Sequence, residues 1–198
     1  MVRPLHFTSA LTDPHCMVPR IECVLVAVAL ALPVAGPAAA QPLRVAEAID
    51  LNRYAGKWYE IARFPNRFQN RCTRDVVAQY SLRADGRIDV INQCRDSDDR
   101  LVQARGIARK GRAGNNAALQ VRFAPAILSF LPSVWGDYWI LAVGPDYTWA
   151  VVGTPSREFL WILSRTPTMS DASYAQAIEI VKGNNFDATR IVRTPQKN

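Results

Sequence analysis

The chain has 198 residues, with 24 Lys and Arg against 17 Asp and Glu, a net charge of +7. Its two histidines, His6 and His15, both precede residue 41, so the rest lacks the imidazole that a Ser-His-Asp triad, a proton shuttle, a proximal-His haem or a His-rich zinc site needs. The basic residues are scattered and form no dense stripe, which argues against a nucleic-acid partner and fits a soluble basic surface or attraction to anionic headgroups.

The first 40 residues read as a leader. Met17-Val-Pro-Arg20 is followed by the apolar run Val24 to Leu32, then Pro33, Gly36 and Ala38-Ala39-Ala40, the layout of a secretory signal peptide. The run is short for a membrane span. Residues 1–16 fit no part of that layout, and Met17 is the expected true start. Cleavage after Ala40 leaves 198 − 40 = 158 residues, the size of one domain over 41–198. Cys16 precedes the run and Cys23 opens it, so neither is placed for lipid attachment; the expectation is an exported soluble protein, periplasmic or secreted, with association with the outer membrane left open, and not lipid-anchored.

After Gln41 the pattern is strand, turn, strand. Trp58–Ala62 is the first expected strand and Asp75–Leu82 the second, with Ala84-Asp85-Gly86 as a tight hairpin signal. Arg87–Gln93, Val102–Lys110 and Ala118–Phe123 follow, with GRAGNN (111–116) as a turn. Asp137–Val143, Trp149–Thr154 and Phe159–Ser164 complete eight, separated by Gly-Pro-Asp (144–146) and Pro-Ser-Arg (155–157). Ser170 then caps a helix on which Tyr174, Ala177, Ile178 and Val181 recur at helical spacing until Gly183. The fold class this implies is all-β: an eight-stranded antiparallel barrel or sandwich with one helix outside.

Two cysteines remain after the leader, Cys72 and Cys94, 22 residues apart. In an exported chain they read as one disulfide, which would add roughly 3 kcal/mol by loop closure; the alternative is two separate thiols.

Three short stretches carry a resemblance. Gly56-Lys-Trp58-Tyr59 on the first strand, Gly136-Asp137-Tyr138-Trp139 on the sixth and Leu163-Ser-Arg165-Thr-Pro167 after the last resemble, in order and spacing, the three motifs of the lipocalin family. WYEIARFPNRF, YSLRADGRIDVIN, GDYWILAVGPDY and LWILSRTP look particularly like the bacterial outer-membrane lipocalins, apolipoprotein D and the plant temperature-induced lipocalins, and the resemblance covers about residues 46–195. Gly136 departs from the Thr often found there, while Asp137 and Tyr138 are kept. The resemblance implies an up-and-down barrel with Trp58 across its closed end and the Arg165 guanidinium over the indole, and makes Gly56, Trp58, Asp137, Tyr138 and Arg165 structural motif residues. A desolvated cation–π contact of that kind is worth about 2 kcal/mol.

With the phase set by the resemblance and by the less charged face, alternate residues point inward. The expected ligand-binding wall is Val76, Ala78 and Tyr80; Ile88, Val90 and Asn92; Ala104, with Gly106 and Ala108; Val121 and Phe123; Tyr138 and Ile140, with Ala142; Ala150 and Val152; Phe159, Trp161 and Leu163. This set contains no Asp, Glu, Lys or His, and its small members leave room in the lumen. A slip of one residue would invert any strand's assignment.

The turn at Asp85-Gly86 closes one end, which places Cys72, Cys94 and the apolar connection 125–135 at the other. That connection is expected to be a lid, a membrane contact through Phe130, Leu131 and Trp135, or a contact between copies in a homodimer. Arg63, Arg67, Arg71 and Arg74 form a basic rim opposite. The expected activity is binding, storage or transport of a fatty acid or lysophospholipid-like ligand, in membrane lipid maintenance, by a protein that is no enzyme, needs no cofactor or metal and exists as monomer or homodimer. The competing readings are an interaction module using the 125–135 loop and, with less support, an enzyme in a lipocalin frame, which needs a clustered acid/base set absent from the inward residues.

Overall fold

The computed structural model describes residues 41–111 and 115–197. The leader expected over residues 1–40 and part of the GRAGNN turn lie outside them.

Eight antiparallel strands close into a barrel: β1 (Gly56–Arg63), β2 (Arg74–Leu82), β3 (Ile88–Arg95), β4 (Leu101–Lys110), β5 (Ala118–Arg122), β6 (Gly136–Val143), β7 (Trp149–Gly153) and β8 (Leu160–Ser164). Each expected strand is present within two residues of its expected ends, because hydrophobic alternation and turn residues act locally. Neighbours pair in chain order, and β1 closes the ring by pairing with β2 through Gly56–Tyr59 and with β8 through Tyr59–Arg63. A four-residue helix, α1 (Leu51–Tyr54), precedes the barrel, and its N-cap Asp50 accepts the Asn52 amide hydrogen.

Two cores share the barrel wall. Inside, Trp58, Tyr54, Ile140, Ala150, Val152 and Leu163 fill one end. Outside, the helix α2 (Asp171–Gly183) lays Ala177 and Val181 against Ile61, Leu141, Val151 and Ile162. Ser170 caps it, its hydroxyl accepting the Ser173 amide hydrogen. All five residues of β7 are therefore buried, its inner face by the lumen and its outer face by the helix. Burying a residue such as Val181 is worth about 1.5–3 kcal/mol, so the helix is held by its apolar stripe.

The register of β1 shifts between Glu60 and Ala62. The bulge sends both Ile61 and Ala62 outward, into the core under α2, and leaves Glu60 on the inner side. Beyond Tyr59 the strands β1 and β2 part, and a short strand β9 (Val192–Arg193) pairs with Ala62 and Arg63. Past it, the Gln196 amide donates to the carbonyls of Glu60 (2.8 Å) and Val76 (3.0 Å), joining the two separated strands.

Candidate functional site

The closed end is built around Trp58. Its ring is fully buried and its indole N–H donates to the Tyr54 carbonyl at 2.8 Å. The Arg165 guanidinium lies 3.8 Å from the ring centroid and donates to the carbonyls of Lys57 (2.9 Å), Arg53 (2.5 Å) and Tyr147 (3.3 Å). One cation thus ties β8, the α1 segment and the 145–147 turn together beneath the barrel. Gly56 passes below with φ of +97°, where a Cβ would come 3.3 Å from an Arg165 nitrogen.

Above this plug the lumen is hollow, with a cavity of about 730 Å³, inside the size range of small-molecule sites. Its wall carries Val76, Ala78, Tyr80, Ile88, Val90, Asn92, Ala104, Val121, Phe123, Tyr138, Phe159, Trp161 and Leu163. Four expected lining residues do not reach it: Ile140, Ala150 and Val152 face inward but are packed solidly in the floor, and Ala142 is turned outward into the core under α2 because the register of β6 shifts between Ile140 and Ala142. Gly106 also stays off the wall, because the Phe123 ring covers it. Residues the alternation missed join the lining: Tyr54 from α1, Arg67, Phe68 and Gln69 from the loop after β1, Val102 and Leu119 from strand ends, and Glu60.

Glu60 corrects the expectation of an uncharged interior. Its carboxylate is almost fully buried and accepts from Arg63 (2.9 Å), Thr194 (2.5 Å) and Gln69 (2.6 Å). Burial pushes its pKa up, partly offset by these donors. The Gln69 carbonyl oxygen in turn accepts from Trp161 Nε1 at 3.0 Å and Asn66 Nδ2 at 2.7 Å. One buried carboxylate engaged in this way is no acid/base pair, and among the described residues no cluster of His, Cys, Asp and Glu could hold a metal ion.

Aromatic rings run continuously down the lumen. Phe68 meets Phe159 (5.3 Å between centroids), Phe159 stacks on Trp161 (6.1 Å), and Trp161 on Tyr138 (6.5 Å). Tyr138 meets Tyr80 (6.0 Å), Tyr80 meets Tyr54 (5.7 Å), and Tyr54 rests against Trp58 (5.0 Å). The Tyr138 hydroxyl lies 2.8 Å from that of Tyr54 and 2.9 Å from that of Tyr80. Burial pushes the Tyr80 hydroxyl up to about 12 and raises Tyr54 and Tyr138 as well, so all three stay neutral at physiological pH.

The mouth is formed by the loops after β1, β3, β5 and β7. Cys72 and Cys94 are disulfide-bonded there, with Cα atoms 5.5 Å apart. Beside them Asp96 accepts the amide hydrogens of Arg100 and Asp98, which hold its carboxyl below the usual carboxylate range. The basic rim is thinner than the sequence predicts. Arg63 pairs with Glu60, Arg71 with Asp96, and Arg74 with Asp75 and Asp99, while Arg67 alone of the four has no carboxylate partner among the described residues. In the 125–135 loop Ile127 and Phe130 are 79% and 75% exposed, and Phe68 across the mouth is 65% exposed. Leu131 is partly exposed. Trp135, expected at the apolar tip, is half-buried instead: guanidiniums of Arg109 (3.8 Å) and Arg122 (5.3 Å) lie over its ring and its indole N–H donates to the Ser129 carbonyl.

A family model described as a lipocalin-like domain matches residues 49–196. The chain belongs to the lipocalin family. It is 38% identical over 157 residues to temperature-induced lipocalin-1 of Arabidopsis thaliana, covering 79% of this chain and 84% of that protein. It is 37% identical over 161 residues to the outer membrane lipoprotein Blc of Escherichia coli K12 (81% and 86% covered), and 31% identical over 163 residues to apolipoprotein D of Mus musculus (78% and 80%). Among solved structures, lobster apocrustacyanin A1 superposes with a TM-score of 0.60 at 22% identity (74% of this chain, 79% of that one), and insecticyanin of the tobacco hornworm Manduca sexta with 0.61 at 16% (82% and 89%). These two share the fold. Membership places this lipocalin among proteins that bind small hydrophobic ligands, and among the described residues no helix is long and apolar enough to cross a membrane.

Proposed function

We propose that this lipocalin is an exported carrier that holds a single-chain anionic amphiphile, a fatty acid or lysophospholipid, in its lumen and serves membrane lipid maintenance without transforming its cargo. The observation that carries the reading is the apolar, aromatic-lined cavity of about 730 Å³ opening beside Arg67. Its walls suit a hydrocarbon tail, and the guanidinium suits an anionic head. The ligand-binding roles of the lining residues and export by the 17–40 leader belong to this proposal.

Lipid extraction of the natively purified protein followed by mass spectrometry should recover bound acyl lipids. A fluorescent fatty-acid analogue should bind and be displaced by lysophospholipid, with no product formed. Flat titrations across all amphiphiles would remove the carrier reading, and turnover of a retained lipid would revive the enzyme.

The exposed Ile127, Phe130 and Phe68 at the mouth support loading at a membrane surface. Replacing Ile127 and Phe130 by Ser should weaken co-sedimentation with anionic vesicles about tenfold or more, since each buried apolar side chain is worth about 1.5–3 kcal/mol. The same lip favours a second reading, a dimer joined mouth to mouth. Concentration-dependent sedimentation abolished by these substitutions would establish it.

A further inference from the structure

Three phenol hydroxyls meet deep in the lumen, below its polar and charged lining residues Glu60, Arg67, Gln69 and Asn92. Tyr80 stands on β2 and Tyr138 on β6, four places apart in an eight-strand ring and so on opposite walls. Their oxygens come together at 2.9 Å, and Tyr54 reaches the same point from α1, its oxygen 2.8 Å from that of Tyr138. Each hydroxyl carries one proton. Two contacts consume two protons, and the third has no acceptor among the described residues. On the inner face of β3, Val90 is opposite Tyr80 and Asn92 is opposite Ala78, one step nearer the mouth. Asn92 Oδ1 is buried and has no hydrogen-bond partner either. A chamber built only for a hydrocarbon tail would not end on an unanswered donor with an unanswered acceptor above it, because buried polar atoms are normally paired.

We propose that the lower lumen is a polar subsite for ligands with an oxygen function at the far end of the apolar body, an ω-hydroxylated or ω-keto acyl chain. The free phenol proton donates to that oxygen, and a ligand hydroxyl can also donate to its surroundings. The Tyr hydroxyls are neutral over the whole physiological range, so this recognition does not depend on pH. The inference rests on the carrier reading and narrows its cargo.

The test compares dodecanoic with 12-hydroxydodecanoic acid and hexadecanoic with 16-hydroxyhexadecanoic acid, two lengths so that one reaches the hydroxyls. Binding is read by calorimetry and by quenching of Trp161, which lines the cavity. The hydroxy acid of at least one length should bind about tenfold tighter than its parent, the worth of one hydrogen bond. The triple variant Tyr54→Phe/Tyr80→Phe/Tyr138→Phe removes all three hydroxyls and strands none, so the ratio of hydroxy-acid to parent affinity should fall to about one, whatever the variant's affinity for the parents. Equal affinities of parent and hydroxy acid at both lengths in the unaltered protein overturn the inference whether or not the variant folds, and so does a preference that survives in the variant. Parents that bind without any preference leave the carrier reading standing. Binding of none of the four acids brings down both.

Discussion

The two ends of this barrel are made from the same strands and behave as opposites. At the closed end, Trp58, Tyr54, Ile140, Ala150 and Val152 pack to complete burial and one arginine seals the base. At the open end, Ala78, Ala104 and Val121 leave a void, and Ile127 and Phe130 stand in solvent. Alternation puts residues inside in both halves. The size of the inward side chains decides whether inside means core or container. Stability is therefore expected to reside at one end and function at the other.

Three substitutions separate the halves, from the largest expected effect downward. Trp58→Ala removes the buried indole and strands the Arg165 guanidinium, and should cost about 3–5 kcal/mol by urea denaturation. A loss below about 1 kcal/mol would mean the base does not hold the barrel. Next, one enlargement made in both halves should give two outcomes. Ala150→Leu overfills the packed floor and should cost about 1–3 kcal/mol. Ala104→Leu points into empty space and should cost less than about 0.5 kcal/mol, yet lower fatty-acid affinity. Similar costs at both positions would dissolve the distinction between core and container.

The smallest effect concerns Glu60, which borders both regions. Its pKa is raised in the folded state, so its contribution to stability is fully present below about pH 4.3, the unfolded value, and is lost as pH rises through the folded value. Glu60→Gln removes that titration. Plotted against pH from 4 to 8, the variant's unfolding free energy should decline less on the way up than the unaltered protein's. Parallel curves would show that Arg63, Thr194 and Gln69 fully compensate the buried charge.

What could be read from the residues follows the same division. Strand positions were legible, and so was the inward phase except at Ala142 past the β6 bulge, because pleating forces a period of two and turns need Gly, Pro, Asn and Asp. Depth was not: Ile140, Ala150 and Val152 have the inward phase, but no alternation distinguishes a floor residue from a wall residue higher up. Glu60 has the same inward phase as Trp58 two residues before it, but the expected inward set began at the second strand; what the bulge hides is the outward turn of Ala62, the next residue in that phase. Tyr54 sits on a helix of only four residues, too short to show periodicity. The thin rim was invisible because pairing of Arg71 with Asp96, and of Arg74 with Asp75 and Asp99, depends on how loops meet.

The bond from Gln196 to Glu60 and Val76 makes the carboxyl-terminal segment a stitch in the vessel's side. Where β1 and β2 have parted, the carboxyl-terminal segment takes over: β9 pairs with β1, the Pro195 carbonyl accepts the Asp75 amide hydrogen on β2, and the Gln196 amide, more than a hundred residues away in sequence, reaches both strands. Trimming the last few residues would leave the eight strands intact but open a slot level with Glu60, turning a cup with one opening into one that leaks from its flank.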